Sequence, residues 1–383
     1  MNLKKESKSN LQIINSMEHE FLNNFIGVLN GNQPKLQWLE VYITNNCNLH
    51  CIACESLGKR YYEPHNELSD EEFISIIKDA ISLGVKKISI FGGGEALTRP
   101  RLIEKLITLI KKNNVYSSLQ TNGTLFTEEI IRKAVEYNFD EISISIDGPD
   151  AKTHDFLRGK KGSFDLIIKN LKRFSYWKNK YDSFFPKIII TPVLTSKNFD
   201  KLDKMVLLAK EHGIFDIKLG VLHSINEPKK NYLDLKIKKH EIRKLQSNIL
   251  KAIDIANKNN ISNNFEFVQN LISTQNNNDE KKDEKNLNQH LQSDNLLKSK
   301  CLMPWYYLGL LPNGEIRVCP IEREPKRFDF TENSLKKIWN NTYYKNIRLN
   351  FINGQMKKTC KNCHAGYLWE MDSYKNKIRQ MIE

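Results

Sequence analysis

The chain has 383 residues, 40% of them hydrophobic and 27% charged, which allows one large domain, a smaller one and a substantial buried core. Lysine and arginine outnumber aspartate and glutamate by 59 to 45, a formal charge of +14. The lysines are scattered, however, and no basic run is interleaved with aromatic residues, so no nucleic-acid partner is expected. No run of about 18 apolar residues occurs, and the start MNLKKESKSNLQIINSMEHE lacks an apolar stretch and a small-residue cleavage site. These absences argue against membrane insertion and secretion and predict a cytoplasmic protein with reduced thiols, so its seven cysteines point to metal or catalysis before disulfides.

From residue 36 strand and helix patterns alternate. LQWLEVYI (36–43) reads as a strand. SDEEFISIIKDAISLG reads as a helix with Ser69 and Glu72 at capping-box spacing, one apolar face (Phe73, Ile76, Ile77, Ala80) and Gly84 to end it. There follow strand KKISIF, a helix near Pro100–Lys112, strand VYSSLQ, helix TEEIIRKAVEY, strand DEISISI, helix SFDLIIKNLKRFSYW, strand KIIITPV, helix NFDKLDKMVLLAKEHG and strand FDIKLGV. Such alternation predicts parallel strands joined by crossover helices, an α/β fold whose six units suit a partial (β/α)6 TIM-like barrel, with an open doubly wound sheet as the alternative. After Val221 the rhythm stops. A helix is expected over Ile237–Asn257, and the Asn-rich, charged stretch 276–300 is too polar to order itself. The chain is apolar and aromatic again from Cys301. The reading gives an N-terminal helical extension (1–35), a barrel (36–235), a helix with polar linker (236–300) and a small domain with a closing helix (301–383).

In parallel α/β folds chemistry collects at the C-terminal ends of strands. Four distinctive stretches fall there: TNNCNLHCIAC with Cys47, Cys51 and Cys54, FGGGEAL, QTNGT and SIDGP. Three thiolates leave one iron of a [4Fe–4S] cluster without a protein ligand, a vacancy suited to binding a small molecule. A three-thiolate zinc site completed by His50 is the alternative.

The C-x3-C-x2-C spacing after the first strand, with GGE after the second, resembles the radical S-adenosylmethionine (SAM) superfamily over residues 36–225. The resemblance implies a cluster whose open iron chelates SAM, and reductive cleavage of SAM to a 5′-deoxyadenosyl radical that abstracts a substrate hydrogen. A flavodoxin- or ferredoxin-type partner would supply the electron. It implies Cys47, Cys51 and Cys54 as cluster ligands and Gly93, Gly94 and Glu95 at the SAM amino group. It also implies Asn122 and Ser145 near the ribose or methionyl part, and Arg158, in HDFLRGKKGSF, on the SAM carboxylate. Two positions depart from the family pattern. Ala53 stands where an aromatic residue is common, so adenine is expected to be held by backbone groups and residues near Val193, and Ala96 replaces the usual proline.

Cys301, Cys319, Cys360 and Cys363 remain, with Gly314 in a hairpin ahead of Cys319. Four thiols suffice for structural zinc. The arrangement also resembles the SPASM/Twitch modules that hold auxiliary [4Fe–4S] clusters, and the lack of a later cysteine favours the shorter Twitch form. All seven cysteines are then used and none is left to quench a radical. That favours oxidation over epimerisation, with the auxiliary cluster taking the second electron. Tyr62 and His223 are the candidate catalytic groups, with Tyr61, His65, Glu227 and Trp305 as further candidates near the mouth. The basic balance and the lack of a leader-peptide module in the 35 residues ahead of the barrel favour a carbohydrate substrate: a sugar, aminocyclitol or nucleotide-linked carbohydrate. A ribosomally made peptide is the second option, and a non-catalytic iron–sulfur electron carrier the third.

Overall fold

The computed structural model describes residues 18–54, 66–222, 234–277, 295–299, 301–320, 322, 324–330, 332–355, 360, 363 and 366–382. A helix over 18–29 leads into β1 (Trp38–Tyr42), α1 (Asp70–Ser82), β2 (Lys87–Phe91), α2 (Pro100–Lys112), β3 (Tyr116–Thr121) and α3 (Glu128–Glu136). Next come β4 (Glu141–Ile144), α4 (Ala151–Arg158), α5 (Ser163–Lys180), β5 (Lys187–Ile190), β6 (Val193–Leu194), α6 (Leu202–Glu211), β7 (Asp216–Ile217) and β8 (Gly220–Val221). The rest is α7 (Ile242–Lys258), β9 (Ser262–Asn263), α8 (Phe265–Asn277), β10 (Tyr307–Leu310), β11 (Glu315–Arg317), β12 (Lys326–Arg327), α9 (Leu335–Trp339), α10 (Thr342–Ile352) and α11 (Gly366–Ile382). Among the described residues no helix is long and apolar enough to cross a membrane.

The chain divides into two units, residues 1–41, 67–88 and 286–383 in the first and 42–66 and 89–285 in the second. In the second, the strands stand in the order β2-β3-β4-β5-β7-β9, and the pairs β3/β4, β4/β5, β5/β7 and β7/β9 are all parallel. This is the expected strand–helix plan. β3 alternates strictly: Ser117, Leu119 and Thr121 are buried, while Tyr116, Ser118 and Gln120 on the other face are half-buried. That second face is polar. Ser118 Oγ donates to Ser89 Oγ at 2.8 Å, and Gln120 Nε2 donates to Ser145 Oγ at 3.2 Å and Thr191 Oγ1 at 3.1 Å. The strand expected over KIIITPV is interrupted: Pro192 has no N–H for a ladder, and the chain resumes as β6, paired in parallel with β8.

In the first unit β1 pairs in parallel with β10, Trp38 opposite Tyr307, and β10, β11 and β12 are antiparallel. Ser69 and Glu72 form the expected capping box on α1, at 3.2 and 2.7 Å, and Gly84 follows at φ +79°. Leu335 N donates to Asp79 Oδ2 at 3.1 Å and Trp339 Nε1 to Pro34 O at 2.7 Å, seating α9 on α1 and on the segment before β1. Gly314, at φ +81°, makes the expected turn of the β10–β11 hairpin.

Candidate metal centre and cofactor site

Cys47, Cys51 and Cys54 lie on the loop after β1, within the second unit, and three neighbours fix that loop. From the turn after β2, Gly94 N donates to Thr44 O at 2.8 Å and Glu95 N to Asn46 O at 2.7 Å. The approach is so close that a Cβ on Gly94 would lie 2.1 Å from Asn46 O, which explains the glycine. From the end of β3, Asn122 Nδ2 donates to Asn48 Oδ1 and Asn48 Nδ2 to Thr124 Oγ1, both at 2.9 Å. From the end of α4, Leu157 O accepts from Ile52 N at 3.0 Å. Gly159 ends α4 in the left-handed region at φ +65°, where a Cβ would meet His50 O at 2.3 Å.

This wiring bears on the roles that the motifs imply. Glu95 is 2% exposed. Its Oε1 accepts from Leu97 N at 3.0 Å and Thr121 Oγ1 at 2.6 Å, and its Oε2 from Asn122 N at 2.7 Å. The carboxylate therefore stitches the β2 turn to the end of β3. Burial raises its pKa, opposed by these hydrogen bonds. Asn122 is also engaged, its Oδ1 accepting from Thr124 N and Oγ1 at 3.0 and 2.7 Å. Both side chains bond from one loop to another. Ser145 is half-buried, and its Oγ accepts from Gln120.

Arg158 sits against the thiols. Its Nη1 donates to Cys51 Sγ at 3.8 Å, and its Nε pairs with Asp147 Oδ2 at 2.8 Å. Asp147, in the SIDG stretch, escapes the motif reading. Its Oδ1 accepts the Val193 N–H at 2.9 Å, and Asn198 Nδ2 donates to both Asp147 O and Val193 O at 2.8 Å. The Val193 N–H and carbonyl are thus both bonded within the protein, and its side chain is half-buried.

The donor set fits an iron–sulfur cluster. Burial pushes the Cys47 and Cys51 thiols up, and each lies in the field of other loop thiols, while the Arg158 guanidinium beside Cys51 opposes the rise. Among the described residues, no three Cys, His, Asp or Glu side chains are drawn round a single metal-ion position. In the first unit, Cys301 lies in the field of Cys363 and Cys360 and is pushed up to about 11, chiefly by burial. Cys363 N donates to Cys360 O at 3.3 Å, and Cys319 follows β11, its carbonyl accepting from Glu322 N at 3.2 Å. Trp305 is buried in this unit, with its ring 6.5 Å from that of Phe351, as a packing residue would be. Tyr61, Tyr62, His65, His223 and Glu227 lie outside the described residues.

Residues 41–176 match the radical SAM superfamily, and residues 301–364 match the SPASM iron–sulfur cluster-binding domain. An AdoMet-dependent heme synthase of Methanosarcina barkeri is 36% identical over 182 residues, 48% of this chain and 49% of that protein. The mycofactocin maturase MftC of Mycolicibacterium smegmatis is 34% identical over 172 residues, 45% and 41% of the two chains. The sporulation killing factor maturation protein SkfB of Bacillus subtilis is 30% identical over 207 residues, 53% and 47%. The chain spans about half the length of these curated relatives. Among solved structures, Streptococcus suis SuiB bound to precursor peptide SuiA shares the fold, with a TM-score of 0.58 at 19% identity over 82% of this chain and 67% of that one. The two matched domains imply SAM and [4Fe–4S] clusters as cofactors: the chain carries a radical SAM domain over residues 41–176 and a SPASM iron–sulfur cluster-binding domain over 301–364.

Proposed function

We propose that the protein is a radical SAM maturase that modifies a ribosomally made peptide. What supports this over carbohydrate oxidation is that two relatives at 30% identity or more, MftC and SkfB, are named for maturation. The basic balance, which favours a phosphorylated or nucleotide-linked carbohydrate, does not by itself select a substrate.

Bound between Cys47, Cys51 and Cys54, a cluster with SAM supplies hydrogen-atom abstraction. The protein's part is placement. Gly93 and Gly94 let the backbone close on the thiol loop, and Arg158 sets a fixed positive charge beside Cys51 for a carboxylate. Ser145 retains its own hydroxyl proton to donate to a ribose. Cys301, Cys319, Cys360 and Cys363 would hold an auxiliary cluster suited to accepting an electron. Tyr62 and His223 are the proposed proton acceptors. A flavodoxin- or ferredoxin-type protein is the proposed reductant.

The test is anaerobic co-expression with each short peptide encoded beside the gene, followed by mass analysis. A peptide that changes mass only in the presence of intact Cys51 is the expected result. Unchanged peptides, together with oxidation of a sugar or aminocyclitol by the purified enzyme, would return the reading to carbohydrate.

A further inference from the structure

We propose that Asp147 is the positioning residue that couples the two ends of the SAM site: one carboxylate oxygen fixes Arg158 and the other fixes the Val193 amide. The inference rests on the SAM-site reading above and goes beyond it, to a residue outside the motif contacts.

Asp147 is 7% exposed and stands two residues after Ser145. Its Oδ2 holds Arg158 Nε at 2.8 Å, and its Oδ1 holds the Val193 N–H at 2.9 Å. Its own backbone is also clamped, the N–H donating to His154 Nδ1 at 3.2 Å and the carbonyl accepting from Asn198 Nδ2 at 2.8 Å. Asp147 therefore has little freedom to re-aim. It transmits the position of β6, which begins at Val193, to the guanidinium that touches Cys51. With side chains only 13% and 10% exposed, Arg158 and Asp147 screen each other from a costly unpaired burial. Without the Asp147 charge, Arg158 loses the ion pair at its Nε, and its fork loses the orientation that a SAM carboxylate requires. The Val193 amide is released by the same change. An ordinary structural ion pair would support folding alone. The second unit holds one for comparison: Lys111 and Asp140, 2.6 Å apart with side chains 14% and 13% exposed.

The experiment measures SAM affinity by equilibrium dialysis of the reconstituted, unreduced protein. It also records the electron paramagnetic resonance change that SAM produces on the reduced cluster. The variants are Asp147→Asn, Arg158→Gln, the double variant and Asp140→Asn. Asp147→Asn is expected to weaken SAM binding at least about tenfold with iron content unchanged. The double variant should bind SAM less weakly than the product of the two single losses, because the two side chains act as one unit. Asp140→Asn should lower the melting temperature and leave SAM affinity alone. Should Asp147→Asn fail to fold, Asn198→Ala removes the clamp on Asp147 O and Val193 O and should weaken SAM binding with the fold retained. SAM affinity within about twofold of the parent in Asp147→Asn, or in Asn198→Ala where that variant stands in, would overturn the proposal, as would single losses that simply multiply. A parent protein that binds no SAM would instead overturn the site reading beneath it.

Discussion

Replacing Gly94 by alanine tests the glycine turn that seats the thiol loop. The new methyl would sit 2.1 Å from Asn46 O, 2.4 Å from Asn46 C and 2.6 Å from Asn45 O, all backbone atoms that cannot rotate away. Reaching ordinary contact moves the turn and the loop apart by more than an ångström. That displacement breaks the 2.8 Å bond to Thr44 O and the 2.7 Å bond to Asn46 O. Overpacking at about 1–3 kcal/mol plus two hydrogen bonds at about 1 kcal/mol each gives a loss of roughly 3–5 kcal/mol. For a unit of this size the melting temperature falls by about 10 °C. Cys47 directly follows Asn46, so cluster loading falls as well. The assay is a thermal melt beside iron analysis after anaerobic reconstitution. Gly220→Ala is the control: its nearest neighbours, Pro192 O and Val193 Cγ2, are at 3.8 Å, and a change within about 0.5 kcal/mol is expected. A Gly94→Ala protein that melts with the parent and loads full iron would refute the reasoning.

Three further outcomes are expected. Glu95→Gln replaces an acceptor-only carboxylate with an amide that must turn a donor toward Leu97 N, Thr121 Oγ1 or Asn122 N, costing about 1–3 kcal/mol in a urea melt; an unchanged midpoint would contradict the stitching role. His154 is buried, accepts the Asp147 N–H on Nδ1 and has no partner for Nε2 among the described residues; burial lowers its pKa from 6.5 to about 4. The unfolded chain therefore binds the extra proton first, and stability is lost as pH falls from about 6.5 to about 4, by about 3 kcal/mol. Between pH 7 and pH 4.5 His154→Gln should lose about 2 kcal/mol less stability than the parent in urea melts, and an equal loss would reject it. Changing Cys301, Cys319, Cys360 and Cys363 to alanine should halve an iron content of about eight per chain, spare SAM cleavage and abolish product. Zinc in the parent in place of the second four irons would identify a structural site.

The regular part of the fold was legible from periodicity and caps. Pro100–Lys112 appears with the expected bounds, and the Ser69–Glu72 box is formed. α4 gives no periodic signal because it is short and polar; its start is set by Asp150 capping Thr153 N, and only its HDFLRG end stands out in sequence, as a motif. The parallel pairing of Trp38 with Tyr307 joins segments far apart in the chain, and nothing local in either strand announces it. At the site, spacing located the thiol loop and its glycines, but residue type alone cannot tell which polar atoms are already spent. Glu95, Asn122 and the Val193 backbone fall in motif stretches in sequence, and each also bonds within the protein. Asp147 lies within SIDG without a local signal, since it acts through an ion pair and a hydrogen bond to distant segments. The cysteine count favours the Twitch form, and residues 301–364 match the SPASM domain model.

The most direct test is incubation of the anaerobically reconstituted, reduced protein with SAM. Formation of 5′-deoxyadenosine and methionine, abolished by Cys51→Ala, is the predicted result. Intact SAM from a protein carrying both clusters would contradict the account and leave an iron–sulfur electron carrier in its place.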